Sequence, residues 1–235
     1  REVVQRTVGN NTDLWLLDGG RTSRFTFDAA VDVRPVWSPD GTRVAFASSR
    51  MGPMDLYQRL TSGAGVEERF VASDQPKTPS SWSADGRFLL YTSTDPQAGA
   101  DLWVVPMVGD RTPSLFLKTP FRETLAEFSP DGRAIVAEGP ETDYNYSLKV
   151  WDVKSGRELH DLTVKGNSVR AYAISSDGHK IAFASGAAMG GSTVELRDAA
   201  SGRKLHTLGW EVISALALAF SPDGRWIAYH HVLAG

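Results

Sequence analysis

Five charged residues stand at nearly the same distance before a repeated Ser-x-Asp-Gly tetrapeptide. Each precedes the glycine of that tetrapeptide by seven to nine positions: Asp32, Arg34, Lys77, Glu123 and Arg170. Guanidinium and ammonium groups bind anions and carboxylates through charge-assisted hydrogen bonds. If the fold brings these positions together, three cations and two carboxylates form a mixed-charge rim suited to a small anion or a partner's carboxylate. Solvated residues that only pair with one another are the alternative.

The five histidines form no recognisable catalytic or metal-binding pattern. His160 and His206 occupy the same position in two repeats, 46 residues apart, which favours a structural role on an outer strand. His230 and His231 are adjacent, so on a strand they point to opposite faces and do not readily share one metal ion. The sequence has no cysteine, no Gly-x-Ser-x-Gly motif and no Gly-rich phosphate loop. We therefore expect no catalytic residue, no metal and no cofactor.

Composition places the chain among globular proteins. Its 235 residues are 41% hydrophobic and 23% charged, with 25 Lys and Arg against 28 Asp and Glu. A net charge of −3 without a basic run argues against a nucleic-acid partner. No stretch approaches the roughly 18 apolar residues of a membrane helix. The lack of cysteine excludes disulfides but leaves both a periplasmic and a cytoplasmic compartment open.

The tetrapeptide is an internal repeat. Its glycines are Gly41, Gly86, Gly132, Gly178 and Gly224, spaced by 45, 46, 46 and 46 residues. The motif favours a tight turn, because Asp bonds to its own backbone and Gly adopts a positive φ without a steric clash. The five aspartates are therefore interpreted as turn residues rather than as a ring of catalytic carboxylates.

Short apolar runs flank each turn and predict a β-hairpin. A second hairpin follows in each of the first four units, as in Asp55–Gln58 and Glu68–Val71 after the turn at Gly41. Four strands in about 46 residues, without sustained helical periodicity, are typical of a β-propeller blade. The repeats are numbered 1 to 5 by their tetrapeptides.

The two chain ends complete one another in this prediction. Two strands, Asp13–Asp18 and Arg24–Phe27, precede the first tetrapeptide, whereas only one strand follows the last. The predicted fold is an all-β, five-bladed propeller with four antiparallel strands per blade, closed by N- and C-terminal hairpins that share one blade. It is a single domain over 1–235, with residues 1–10 and 232–235 as mobile tails. The predicted blades are 31–73, 74–118, 119–164, 165–210, and 211–235 together with 1–30.

The first half of the chain resembles TolB-like repeats. The segments that carry the resemblance are VRPVWSPDGTRVAFASSRMGPMDLYQ and PSSWSADGRFLLYTSTDPQAGADLWVVP. Such repeats occur in TolB, in the propellers of prolyl-oligopeptidase-type peptidases, and in sensor-like regions of some bacterial serine/threonine kinases. The run NTDLWLLDGGRTSRFTFDAAVDVRPVWSPDG is most similar to the kinase-linked group.

The second half resembles bacterial WD repeats, in SLKVWDVKSGRELHDL and TVELRDAASGRKLHTL. The WD dipeptide is present at Trp151-Asp152 and altered to Arg197-Asp198. The Gly-His pair of eukaryotic WD repeats is missing, so the resemblance does not imply their Asp-His-Ser-Trp network. TolB propellers usually have six blades and WD propellers seven. A five-bladed mixture leaves two origins open, a natural mosaic and an engineered or de novo chimera of blade fragments.

These resemblances imply a non-enzymatic propeller that acts as a scaffold or protein-interaction module. We expect a monomer with a protein partner, and neither a nucleic-acid nor a membrane partner. A ligand- or signal-sensing propeller of a bacterial membrane-bound kinase, the gating propeller of a peptidase, and a designed protein without a native role are alternatives. In a propeller the starts of the first strands surround one mouth of the central channel. The predicted ligand-binding residues are therefore those at this mouth: Asp32, Arg34, Lys77, Glu123 and Arg170.

Overall fold

A computed structural model describes residues 1–97, 99–118, 124–139, 147–162, 168–186, 192–212 and 214–232. These residues form antiparallel β-strands joined by turns. None of the described residues belongs to a helix that is long and apolar enough to span a membrane. The all-β prediction is confirmed.

The N-terminal sheet contains three strands, β1 (Glu2–Val8), β2 (Asn11–Asp18) and β3 (Arg21–Arg24). β1 pairs with β2 along its whole length across the two-residue connection Gly9-Asn10, in which Gly9 has a φ of +61°. Glycine at such a position is favourable for a tight hairpin. The prediction of a mobile tail over residues 1–10 is therefore wrong, and β3 begins earlier than the predicted strand Arg24–Phe27.

Each of the first four repeats forms one antiparallel sheet of four strands that pair in chain order, which confirms the predicted blade pattern. Repeat 1 contains β4 (Asp32–Trp37), β5 (Arg43–Ser48), β6 (Asp55–Leu60) and β7 (Glu68–Val71). Repeat 2 contains β8 (Lys77–Trp82), β9 (Phe88–Asp95), β10 (Gly99–Pro106) and β11 (Ser114–Leu117). Repeat 3 contains β12 (Thr124–Phe128), β13 (Ala134–Gly139), β14 (Ser147–Asp152) and β15 (Glu158–Asp161). Repeat 4 contains β16 (Ser168–Ile174), β17 (Lys180–Gly186), β18 (Ser192–Asp198) and β19 (Lys204–Val212).

Repeat 5 forms a two-stranded sheet of β20 (Ser214–Phe220) and β21 (Ile227–Val232). The predicted shared blade required β21 to pair with β2. Instead β2 carries β1 on one edge and β3 on the other, so neither edge is available to another strand. The sheets are not closed and the prediction of a shared blade is wrong. The count of five blades stays a prediction.

The repeated tetrapeptide forms the same turn in all five repeats. The serine Oγ donates a hydrogen bond to the aspartate at 2.5–2.7 Å. It also accepts one from the backbone N–H five residues after the serine, at 2.9 Å. All five glycines have a φ between +64° and +74°. The predicted hairpin turns with left-handed glycines are confirmed.

The chain packs as two compact units, Arg1–Pro120 and Phe121–Gly235. In each unit the hydrophobic core lies between consecutive sheets. Buried residues of repeats 1 and 2 form one cluster that includes Leu56 and Leu89, and buried residues of repeats 3 and 4 form another that includes Val150 and Ile181. The second strands β5, β9 and β17 are buried on both faces, which explains their nearly continuous apolar runs.

Candidate interaction site

The first strand of every repeat contains a β-bulge a few residues after its start. In β4 the register shifts between Val33 and Val36, so Arg34 and Pro35 have no paired residue on β5. Comparable shifts occur in β8, β12, β16 and β20. Pro35 cannot donate a backbone hydrogen bond, which favours an interruption of the ladder at this point. Bulges bend a strand and redirect its side chains, so these positions are suited to present residues away from the sheet.

Arg34 has a φ of +55°, and across the part of the chain that the structure describes it is the one residue other than glycine with a positive φ. This backbone conformation costs a non-glycine residue about 1–2 kcal/mol. The backbone N–H of Arg34 donates to Oε1 of Gln5 on β1, which helps to hold the bulge. The Arg34 side chain is exposed. Its guanidinium pairs with no carboxylate among the described residues.

Asp32 lies two residues before Arg34 but is completely buried, with an exposed fraction of 0%. Its carboxylate accepts two hydrogen bonds from Nη2 of Arg50, at 3.0 and 3.2 Å. Arg50 also donates to Glu67 at 2.9 Å and lies 4.5 Å from the ring centroid of Tyr57. Burial opposes the charge of Arg50, but its hydrogen bonds with Asp32 and Glu67 more than compensate and raise its pKa. The structure therefore places Asp32 in an internal ion-pair network.

Lys77 begins β8 and is buried, with an exposed fraction of 3%. Its Nζ donates to Oδ1 of Asp55 at 3.0 Å and to the backbone oxygens of Ser73 and Gln75 at 3.2 and 2.7 Å. An ammonium group has three donors, and all three are used here. Lys77 thus ties the start of β8 to the start of β6 in the preceding sheet.

Asp55 was not among the predicted site residues. Besides Lys77 it pairs with Arg69 at 3.2 Å and accepts the backbone N–H of Ser73 at 3.3 Å. A sequence signal existed, because Asp13 and Asp101 precede a Leu-aromatic pair as Asp55 does. Each of these aspartates pairs with a basic side chain: Asp13 with Arg24 at 2.7 Å, and Asp101 with Lys118 at 3.2 Å. This recurring pair is a structural feature of the sheets.

In unit 1 the structure connects Asp32, Asp55 and Lys77 across neighbouring strands. Asp32 is paired with Ser48 on β5, and Ser48 with Asp55 on β6, which in turn binds Lys77. Glu123 lies outside the described residues. The backbone of Arg170 lies in the bulge of β16, but its side chain is outside the described part. Their participation in a common rim stays a prediction from the repeat spacing.

The turn aspartates are structural. The hydroxyl of Ser38, together with the backbone N–H and hydroxyl of Thr42, lowers the pKa of Asp40 to about 2. The backbone N–H of Arg87 and the hydroxyl of Ser83 lower that of Asp85 to about 2 as well. A carboxyl with such a pKa is ionised near neutral pH and is a poor general acid. The interpretation of these residues as turn elements agrees with this geometry.

His160 lies on β15, the last strand of its sheet, as predicted. Its Nε2 is 2.8 Å from the backbone oxygen of Ala200 in the next repeat. A Cβ atom on Gly202 would lie 2.9 Å from the Nδ1 of His160, so the imidazole packs closely on this glycine. These contacts support the structural role that the repeat position indicated.

The sheet order and the turns resemble those of one known family. Residues 3–138 match the family described as PD40, the TolB beta propeller domain. This match covers more than half of the 235 residues. The chain belongs to the TolB β-propeller family. Propellers of this family are generally non-enzymatic and generally act as protein-interaction modules.

Solved structures of TolB proteins are similar to this TolB-like chain. TolB from Acinetobacter baumannii has a TM-score of 0.68 at 21% identity, over 92% of this chain and 53% of its own. A putative TolB from Agrobacterium tumefaciens has a TM-score of 0.68 at 20% identity, over 94% of this chain and 84% of its own. Hydrazine synthase of Kuenenia stuttgartiensis has a TM-score of 0.61 at 20% identity, over 84% of this chain and 54% of its own. At these identities the similarity supports the fold alone.

A curated protein is also similar. Tricorn protease homolog 1 of Streptomyces coelicolor is 32% identical over 133 residues, which is 55% of this chain. The chain spans 11% of the length of that relative.

Proposed function

We propose that this TolB-like domain is a non-enzymatic interaction module that binds an acidic group of a protein partner through Arg34. The observation that carries the proposal is the exposed guanidinium of Arg34, which pairs with no carboxylate among the described residues and lies on a bulge whose backbone has a φ of +55°. Backbone strain that persists in a fold is often found at functional positions, because the surrounding structure must hold it in place. The charge and planar shape of the guanidinium suit a carboxylate.

The other charges of unit 1 support this assignment by contrast. Asp32 and Lys77 are buried and paired within the fold, so they can fix the strand starts but cannot easily bind a partner. The side chain of Arg34 forms no such pair with the residues that the structure describes. The roles of Glu123 and Arg170, at the matching positions of repeats 3 and 4, stay predictions from the repeat spacing.

A second function has support from the sequence similarity. The protein named Tricorn protease homolog 1 favours a propeller that serves a peptidase, for example by controlling access of peptide substrates. A free cation at the start of a first strand would then contact the substrate rather than a regulatory partner. The WD-like character of the second half, a mosaic or chimeric origin and the sensing role in a kinase stay predictions.

The proposal can be tested with a fluorescein-labelled hexaglutamate peptide and fluorescence anisotropy at low salt. We expect Arg34→Gln to weaken binding by fivefold or more. Arg21→Gln is the matched control, because Arg21 is also exposed and lies in the same unit on β3. Equal affinities of the wild type and Arg34→Gln would contradict the proposal. An equal loss in both variants would indicate general charge attraction rather than a site.

A further inference from the structure

A cleft of about 300 Å³ opens between the turns of repeats 3 and 4 in the second unit. Its rim includes Asp131, Arg133, Asp152 and His179, and its accessible apolar lining includes Ala134, Leu159 and Ile174. Leu159 has an exposed fraction of 46%. The buried side chains of Val136, Val150 and Ile181 lie beneath this lining.

A larger cleft, of about 470 Å³, lies at the corresponding turns of repeats 1 and 2 and is lined by Arg43, Trp82 and Met107. The cleft of repeats 3 and 4 differs from it in having a small residue where the other repeats have large ones. The position two residues after the turn glycine is occupied by Arg43, Phe88, Lys180 and Trp226 in repeats 1, 2, 4 and 5, but by Ala134 in repeat 3. In repeat 1 the guanidinium of Arg43 reaches Oε1 of Gln58 at 3.5 Å. The residue of repeat 3 that corresponds to Gln58 is Val150, so neither half of this polar pair is present there.

The rim of this cleft carries a balance of charge that favours a cation. Asp131 and Asp152 contribute carboxylates, and the hydroxyl and backbone N–H of Ser155 lower the pKa of Asp152. Arg133 also lines the cleft, but its Nε is 3.9 Å from Asp131 and its side chain is 85% exposed, so it offsets the two carboxylates only in part. The imidazole of His179 completes the rim. A positively charged group at the mouth would gain from both carboxylates.

The floor of the cleft, unlike its charged rim, is apolar. Ala134, Leu159 and Ile174 offer no hydrogen-bonding side chain to a water molecule. A water molecule in a small cavity needs two to four polar partners, so displacement of water from this floor by an apolar group is favourable. A volume of about 300 Å³ is at the lower end of the range for small-molecule sites.

We propose that the cleft over Ala134 is a binding site for a small organic ammonium ion with an aryl or alkyl tail. The tail lies on Ala134, Leu159 and Ile174, and the ammonium group lies at the rim beside Asp131 and Asp152. This site is independent of Arg34, since it belongs to the other unit and selects a ligand of opposite charge.

The test adds three probes of nearly equal shape to the full chain. Their binding is measured by titration calorimetry and located by chemical-shift mapping. They are phenethylamine, which is a cation, 2-phenylethanol, which is neutral, and 3-phenylpropionate, which is an anion. We expect phenethylamine to bind most tightly and the anion most weakly. Shift changes should centre on residues 134–136 and 178–181.

Substitutions separate the floor from the rim. Ala134→Arg, which copies the residue of repeat 1, should weaken phenethylamine binding at least tenfold. Ala134→Lys, which copies repeat 4, is a second filling variant if the first is poorly folded. Asp152→Asn should weaken the amine about threefold to fivefold and leave 2-phenylethanol unchanged. Asp198→Asn is its matched control, because Asp198 forms the same turn with Ser201 but does not line the cleft.

Three results would overturn the proposal. The first is no heat or shift change with phenethylamine up to 20 mM. The second is undiminished binding by a folded Ala134→Arg or Ala134→Lys variant. The third is equal affinity for the cationic and anionic probes, which would remove the role of the rim carboxylates.

Discussion

Every repeat contains a turn and the start of a first strand. The hydrogen bonds of the turns are the same in all repeats, whereas the residues at the strand starts differ. At the turns, all five repeats make the same Ser–Asp and Ser–backbone hydrogen bonds around a glycine with positive φ. At the strand starts, repeat 1 buries Asp32 and exposes Arg34, repeat 2 buries Lys77, and repeat 5 has the apolar residues 215–217. The turns therefore define the scaffold, and the strand starts are the region in which the repeats can acquire different functions.

The largest effect is expected where a strand-start charge has become part of the interior. Asp55→Ala removes the carboxylate that faces the buried ammonium of Lys77. An unpaired buried charge costs about 3–5 kcal/mol, so the free energy of unfolding in urea should fall by that amount. The double variant Asp55→Ala with Lys77→Met should be more stable than Asp55→Ala alone. A loss below about 1 kcal/mol in the single variant would show that Lys77 is not held by this pair.

At the turn glycines, the effect of a substitution should depend on whether the new residue can adopt a positive φ, and not on the space available to its side chain. A Cβ atom on Gly41 would meet nothing within 4 Å, but the φ of this residue is +68°. Gly41→Val should therefore reduce the stability by about 1–2 kcal/mol through backbone strain. Asn adopts positive φ more readily, so Gly41→Asn should cost clearly less. Equal melting temperatures of the two variants would indicate that the positive φ is not what the turn requires.

Substitution of Arg34 by glycine should have the opposite effect on stability. We expect the strained backbone of Arg34 to favour binding at a cost in stability. Arg34→Gly removes the penalty of a φ of +55° and should stabilise the protein by about 0.5–1 kcal/mol. The same variant should bind the hexaglutamate peptide less tightly. Chemical denaturation measures the first effect and anisotropy the second. A destabilised Arg34→Gly variant would mean that the side chain contributes to folding.

The smallest effect concerns the protonation of the turns. Because its pKa is lowered from 3.8 to about 2, Asp40 contributes stability above pH 4 and loses it as the pH falls towards 2. The difference in melting temperature between the wild type and Asp40→Asn should therefore shrink from pH 5 to pH 2. A difference that stays constant over this range would show that ionisation of Asp40 does not stabilise the turn.

Much of the fold could be predicted from the sequence, because turn chemistry and alternating apolar runs are local signals. The turns, the four strands of each of the first four repeats and the TolB resemblance were all available in this way. β1 was missed because Gly9-Asn10 was interpreted as part of a tail rather than as a hairpin turn. A strand partner for β2 depends on tertiary competition, which the spacing of the repeats does not reveal.

The candidate site was harder to predict, because burial depends on residues far away in the chain. The sequence indicated Asp32 and Lys77 as rim residues, but their partners Arg50 and Asp55 are 18 and 22 residues away on other strands or loops. The strain at Arg34 arises from a bulge that only the strand register shows. The lining of the cleft over Ala134 depends on a small side chain in place of Arg43, which becomes informative only when the packing around it is known.

The most direct test of the contrast between paired and unpaired charges is to measure stability and binding in the same two variants, Arg34→Gln and Lys77→Met. We predict that Arg34→Gln keeps the wild-type unfolding midpoint and loses hexaglutamate affinity by fivefold or more. Lys77→Met should have a lower unfolding midpoint and, under conditions in which it is folded, an affinity within twofold of the wild type. If Lys77→Met abolished binding while Arg34→Gln retained it, the binding surface would not be centred on Arg34 and the account would be wrong.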